Sequence, residues 1–122
     1  MNSEEYLKAL VSYIAWRDGH QDGFSGMLAV AFALRNRVKA GSDWLKVVTS
    51  QLIERRITAL PDPREPAFQR LLQNIDGVFD NSLIDNLTGG GLFYDQEEGV
   101  PFRSQYTAKV GSLVFFLITQ ER

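Results

Sequence analysis

Apolar residues recur at helical spacing over most of the chain, and the interruptions fall at residues that end helices. Tyr6, Leu7, Leu10, Val11 and Ile14 share one face of a first helix. Ser3 stands ready to cap it, Glu4 and Glu5 suit its positive end, and Gly19 is a natural stop. A glycine-punctuated loop, "DGHQDGFSG", follows. From about Gly26 a second helix carries Met27, Val30, Ala31, Leu34 and Val38 to a stop at Gly41. Its small residues Ala29, Ala31 and Ala33 allow close approach of neighbours, which predicts the central, most buried helix.

Ser42 caps a short third helix, "DWLKVVTS". In "PDPREPAFQRLLQNIDGVF" the pattern predicts a helix capped by Asp62, with Pro63 at its first position and Glu65 three after the cap. Phe68, Leu71, Leu72, Ile75 and Phe79 form its stripe. "NSLIDNLTGGG" reads as a loop whose glycines mark unusual dihedrals or close backbone approach. "LFYD" and "SLVFFLI" read as short strands, or in the second case as a last buried helix; periodicity alone leaves both open. Val114, Phe115, Phe116 and Leu117 are expected core. The expectation is one mainly α domain over residues 1–122, with a small β or irregular element near residues 88–106.

Composition narrows the chemistry. The chain has 122 residues, enough for one modest core, and its 44% apolar content is ordinary for a globular protein. The longest apolar runs are too short to span a bilayer. The start "MNSEEYLKAL" lacks the order of a secretory signal, so cytoplasmic synthesis without membrane insertion is expected. With no cysteine, disulfides, thiol nucleophiles and thiolate metal sites are excluded. With one histidine, His20, no metal site or other cofactor is expected. A net charge of −2 argues against a nucleic-acid partner. The pairs Arg35/Arg37 and Arg55/Arg56 read as solvated faces rather than phosphate clamps.

One stretch is less anonymous. "WRDGHQDGFSGMLAVAFALRNRVKAG", Trp16 to Gly41, resembles the core pattern of the SleB/CwlJ-type cell wall hydrolases. That pattern runs from an aromatic through "GEA" and a glycine turn to "GQVAVAxVxLNRV". Counted back from Asn36-Arg37-Val38, Gly26 falls on the turn glycine, Trp16 on the aromatic and Asp18 on the glutamate, without a gap. Pro61-Asp62-Pro63 matches the family's "PDP", "GGLFYD" its "GALYF", and "VGSLVFF" its closing "IGNHxF". The chain departs from the pattern at Asp18 for glutamate, at Gly19 for alanine, and at Ser112-Leu113 for "NH".

The resemblance implies a lysozyme-like domain of about five helices. It implies cleavage of peptidoglycan between N-acetylmuramic acid and N-acetylglucosamine, by a lytic transglycosylase or muramidase route. One carboxyl group then protonates the leaving oxygen and afterwards takes a proton from the muramic 6-hydroxyl. The carried-over acid is Asp18, which is one methylene shorter than the family's residue; an apolar pocket supplied by Trp16, Phe24 and the aromatics of "GGLFYD", Phe93 and Tyr94, would keep it partly protonated. Trp16, His20, Tyr94, Asp95 and Gln96 are the candidate substrate contacts, with Glu54 as a rival acid. Arg103, Gln105 and Tyr106 read as a solvated loop that flanks the glycan at most. The wall would be reached by lysis, in a phage particle, or through a dedicated export partner. Two rivals stand beside this reading: an inactive glycan-binding or structural module, and a small helical protein-interaction domain.

Overall fold

The computed structural model describes residues 2–54 and 59–119. Helix α1 spans Ser3–Gly19, α2 Gly23–Lys39, α3 Trp44–Glu54 and α4 Pro66–Phe79. Strands β1 (Phe93–Gln96), β2 (Ser104–Val110) and β3 (Leu113–Ile118) follow, and single 3-10 turns occupy His20–Asp22 and Glu97–Gly99. The strands form one antiparallel sheet in the order β1-β3-β2.

This corrects the expected lysozyme-like arrangement of about five helices. Among the described residues there are four α-helices, and the last quarter of the chain is a three-stranded sheet extending to Ile118. The physical reason lies in Gly111-Ser112. Val110 pairs with Leu113 across this two-residue turn, and Gly111 has φ 58°, where an L side chain is strained. Such a turn between the mixed run "SQYTAKV" and the apolar run "LVFFLI" closes a hairpin. It commits "LVFFLI" to a strand. The Asp22 carboxylate pins the turn, accepting from the Ser112 backbone N–H at 2.9 Å and from Ser112 Oγ at 2.8 Å.

Helix α2 is the central element, touching α1, α3, α4, β1 and β2. Its run from Ala29 to Leu34 is shielded completely or nearly so. With Val11, Ile14, Leu71, Val78 and Phe115 it forms the core; burying each large side chain contributes about 1.5–3 kcal/mol. Helices α1 and α2 meet tightly at their elbow. A Cβ on Gly19 would stand 2.5 Å from the Gly26 carbonyl oxygen, so alanine does not fit there without backbone movement.

Several helix ends differ from expectation by a few residues. Asn2, not Ser3, caps α1, its Oδ1 accepting from the Glu5 N–H at 2.8 Å. Asp43 holds the first turn of α3 through the Lys46 N–H at 2.9 Å, and the helix runs on to Glu54. Asp62 makes a local turn with the Arg64 N–H, so α4 begins only at Pro66. The Arg35/Arg37 pair is not a solvated face. Arg35 is 3% exposed, donates to the Leu83 carbonyl at 2.7 Å and lies over the Phe32 ring, and burial lowers its pKa against the opposing Asp85 charge. The Arg55/Arg56 pair lies outside the described residues. Among the described residues no helix is long and apolar enough to cross a membrane.

Candidate functional site

The loop before β1 is held by the "NRV" end of α2. Asn36 Nδ2 donates to Asp85 Oδ2 (3.1 Å), Thr88 Oγ1 (3.1 Å) and the Gly91 carbonyl (3.0 Å). Arg37 Nε donates to the Leu92 carbonyl at 2.5 Å. The glycines behave as their run implied: Gly89 and Gly90 adopt φ 62° and 85°, and a Cβ on Gly91 would meet Phe115 Cβ at 2.8 Å. Together these contacts lay β1 beside α2 and α3.

That placement brings Tyr94 to Asp18. The Tyr94 hydroxyl donates to Asp18 Oδ2 at 2.6 Å across 76 residues of sequence. Gln51 Nε2 donates to the same hydroxyl at 2.7 Å, and Arg37 Nη1 donates to Gln51 Oε1 at 3.0 Å. From the other side Arg17 clasps Asp18 with Nε and Nη2, at 2.8 and 3.0 Å, and Nη2 also reaches the Gln51 carbonyl at 3.1 Å. Arg37, Gln51, Tyr94, Asp18 and Arg17 thus form one continuous chain of hydrogen bonds.

Its electrostatics follow from burial. The Tyr94 hydroxyl is pushed well above the ordinary tyrosine range by desolvation first and by the Asp18 carboxylate second. The hydrogen bond to Asp18 raises the pKa of Arg17, whereas desolvation lowers that of Arg37. The Asp18 side chain is 1% exposed, and Arg17 and Tyr94 both donate to it. Of the expected apolar walls, Tyr94 meets Asp18 through its hydroxyl, while Phe24 packs under the Arg70 guanidinium at 4.0 Å and Trp16 stacks on His20 at 4.6 Å.

In front of Tyr94 opens a cleft of about 390 Å³. Arg37, Gln51 and Glu54 form its helical wall; Phe93, Tyr94, Asp95 and Phe116 form its sheet wall. Asp18 lies behind Tyr94 and is not among the residues lining it. Of the candidates from sequence, the structure therefore brings Tyr94, Asp95 and Glu54 to one cleft, with Asp18 bonded behind Tyr94. It sets the others apart. His20 and Trp16 form their own pair, His20 Nδ1 lying 2.7 Å from the Trp16 carbonyl oxygen. Gln96 Nε2 donates to Ser112 Oγ at 3.3 Å. Gln105 and Tyr106 belong to β2 rather than a loop, and Arg103, just before it, accepts from the Thr119 N–H through its carbonyl at 3.1 Å.

Arg17, Arg37 and Gln51 were missed by sequence reasoning as site residues. Arg17 adjoins Asp18 and Arg37 belongs to the "NRV" signature, so both left a trace. Gln51 left none, because only packing of α3 against β1 carries it to Tyr94. No protein-family model, curated protein or solved structure matches the chain. The family likeness rests on the motifs alone.

Proposed function

We propose that the chain binds peptidoglycan glycan strands in the cleft between α3 and β1 and cleaves them between N-acetylmuramic acid and N-acetylglucosamine. One observation carries this reading. The two segments of the family likeness, around Asp18 and around Tyr94, meet at 2.6 Å behind a cleft that bears two carboxylates beside aromatic side chains. Glycan cleavage needs both kinds of group. Aromatic faces seat pyranose rings, and a carboxyl group protonates the leaving oxygen.

For Asp18 to be the acid, Arg17 and Tyr94 would both have to release it. Glu54 is exposed and lines the cleft without that requirement. The reading therefore gives Asp18 the task of holding Tyr94 and Arg17, and gives the proton transfer to Glu54, with Asp95 on the sheet wall. Digestion of purified peptidoglycan followed by mass analysis of the fragments tests it. Anhydromuramic ends report the transglycosylase route and reducing muramic ends report hydrolysis. Glu54→Gln is expected to abolish product formation while Asp18→Asn, if folded, retains part of it. The opposite pattern returns the acid role to Asp18.

A second reading, a cleft that binds glycan without cutting it, is favoured by the engagement of Asp18 with Arg17. Co-sedimentation with peptidoglycan and no released fragments would establish it.

A further inference from the structure

A second cleft, of about 460 Å³, lies on the other side of Arg37, at the elbow between α2 and α3. Its chemistry is the reverse of the first. Arg37 and Lys46 bring two cations to it, Ser42 and Ser50 bring two hydroxyls, Val47 and Phe93 supply apolar wall, and among the described residues no carboxylate lines it. The nearby acid, Asp43, turns an oxygen to the Lys46 backbone N–H at 2.9 Å.

The guanidinium of Arg37 is held rigidly. Nε is bonded to the Leu92 carbonyl, Nη1 to Gln51 Oε1, and its plane lies over the Phe93 ring at 4.4 Å. None of these partners is an anion, and among the described residues neither Arg37 nor Lys46 forms an ion pair. Burial of the Arg37 guanidinium outweighs the attraction of the Glu54 carboxylate in the neighbouring cleft, and a bound anion relieves that desolvation penalty. A fixed guanidinium fork, a mobile ammonium and two hydroxyls are the donors that carboxylate and phosphate groups accept from.

We infer that this cleft is an anion-binding site for a carboxylate or phosphate group. Arg37 lines both clefts, so an anion held here sets the position of the rest of its ligand against Glu54 and Tyr94. On the glycan reading, on which this last step rests, the anion is a carboxylate of the muramyl residue or its peptide stem.

Amide chemical shifts of the labelled full chain, titrated separately with inorganic phosphate and acetate, test the site. Saturable shifts are expected at Ser42, Lys46 and Ser50 and at the Arg37 Nε–H, weaker at high salt. The Lys46 side chain is exposed, so Lys46→Gln leaves the core intact; it should weaken binding about tenfold. No saturable shift at these positions, or equal titration of wild type and Lys46→Gln, overturns the site. A muramyl dipeptide and neutral diacetylchitobiose separate the two levels of the inference. Preference for the carboxylate-bearing sugar at the same amides supports the muramyl assignment. Phosphate binding with no such preference overturns that assignment and leaves the anion site standing.

Discussion

Replacing Tyr94 by phenylalanine removes one oxygen and leaves the ring against Phe115, whose centroid lies 6.0 Å away. Two hydrogen bonds go with it. The donation to Asp18, at 2.6 Å, is charge-assisted and is worth about 1.5–3 kcal/mol. The acceptance from Gln51, a residue only 5% exposed, adds about 1 kcal/mol because its amide N–H is left buried. Relief of the hydroxyl's own desolvation offsets part of the sum, so a loss of about 2–3 kcal/mol is expected. Against a typical total of about 5–15 kcal/mol this is a large fraction. Urea denaturation followed by the fluorescence of Trp16 and Trp44 measures it. With a slope of about 1.5 kcal/mol/M the midpoint falls by roughly 1.3–2 M. Pairing Tyr94→Phe with Asp18→Asn in a double-mutant cycle should give a coupling of about 1–2 kcal/mol. A Tyr94→Phe protein within about 0.5 kcal/mol of wild type, or strict additivity with Asp18→Asn, would refute the hydrogen-bonded chain.

Gly19→Ala reverses the sign that helix propensity alone dictates. Alanine ordinarily gains about 1 kcal/mol over glycine in a helix, but here the added Cβ meets the Gly26 carbonyl, so a loss of about 1–3 kcal/mol in the same urea titration is expected; a stabilised variant would show that the helices do not meet there. Asp85 governs part of the acid limb: burial opposes ionisation, yet hydrogen bonds from Thr88, Asn36 and Leu87 hold its folded pKa below 3.8. Its contribution is therefore present above the unfolded value and is lost as pH falls through the lower folded one. Asp85→Asn should flatten stability against pH below about 4, in the window that the carboxylate reference sets, and an unchanged acid limb would contradict the depressed value.

The helices were legible because each buries one face, and a period of 3.6 residues writes that burial into local sequence. Their ends were less so. Ser3, Ser42 and Asp62 are all competent caps, and the choice of Asn2, Asp43 and Glu65 instead depends on where the chain must turn to pack. The sheet was half legible. "LFYD" read as a strand, but "SLVFFLI" admits helix and strand until Gly111-Ser112 is seen to pair Val110 with Leu113. The glycine run foretold its backbone, since positive φ and close approach are local demands. At the site, the "NRV" register and the aromatic segment after the glycines located Asp18 and Tyr94. Nothing in the sequence said that the two touch.

What the chain alone determined is thus a set of elements and a set of chemical groups: amphipathic stripes, a small-residue central helix, an acid at position 18, and no thiol. Tertiary structure decided what each group became. Arg17 and Tyr94 turned Asp18 into a buried acceptor, α3 brought Gln51 to Tyr94, and the same packing left Glu54 facing the cleft. It also set Arg37 between two clefts, bonded to Leu92 and Gln51. The division has a physical cause. Periodicity and backbone preference act over a few residues, whereas burial, counter-charge and hydrogen-bond partners are fixed by neighbours up to 90 positions away.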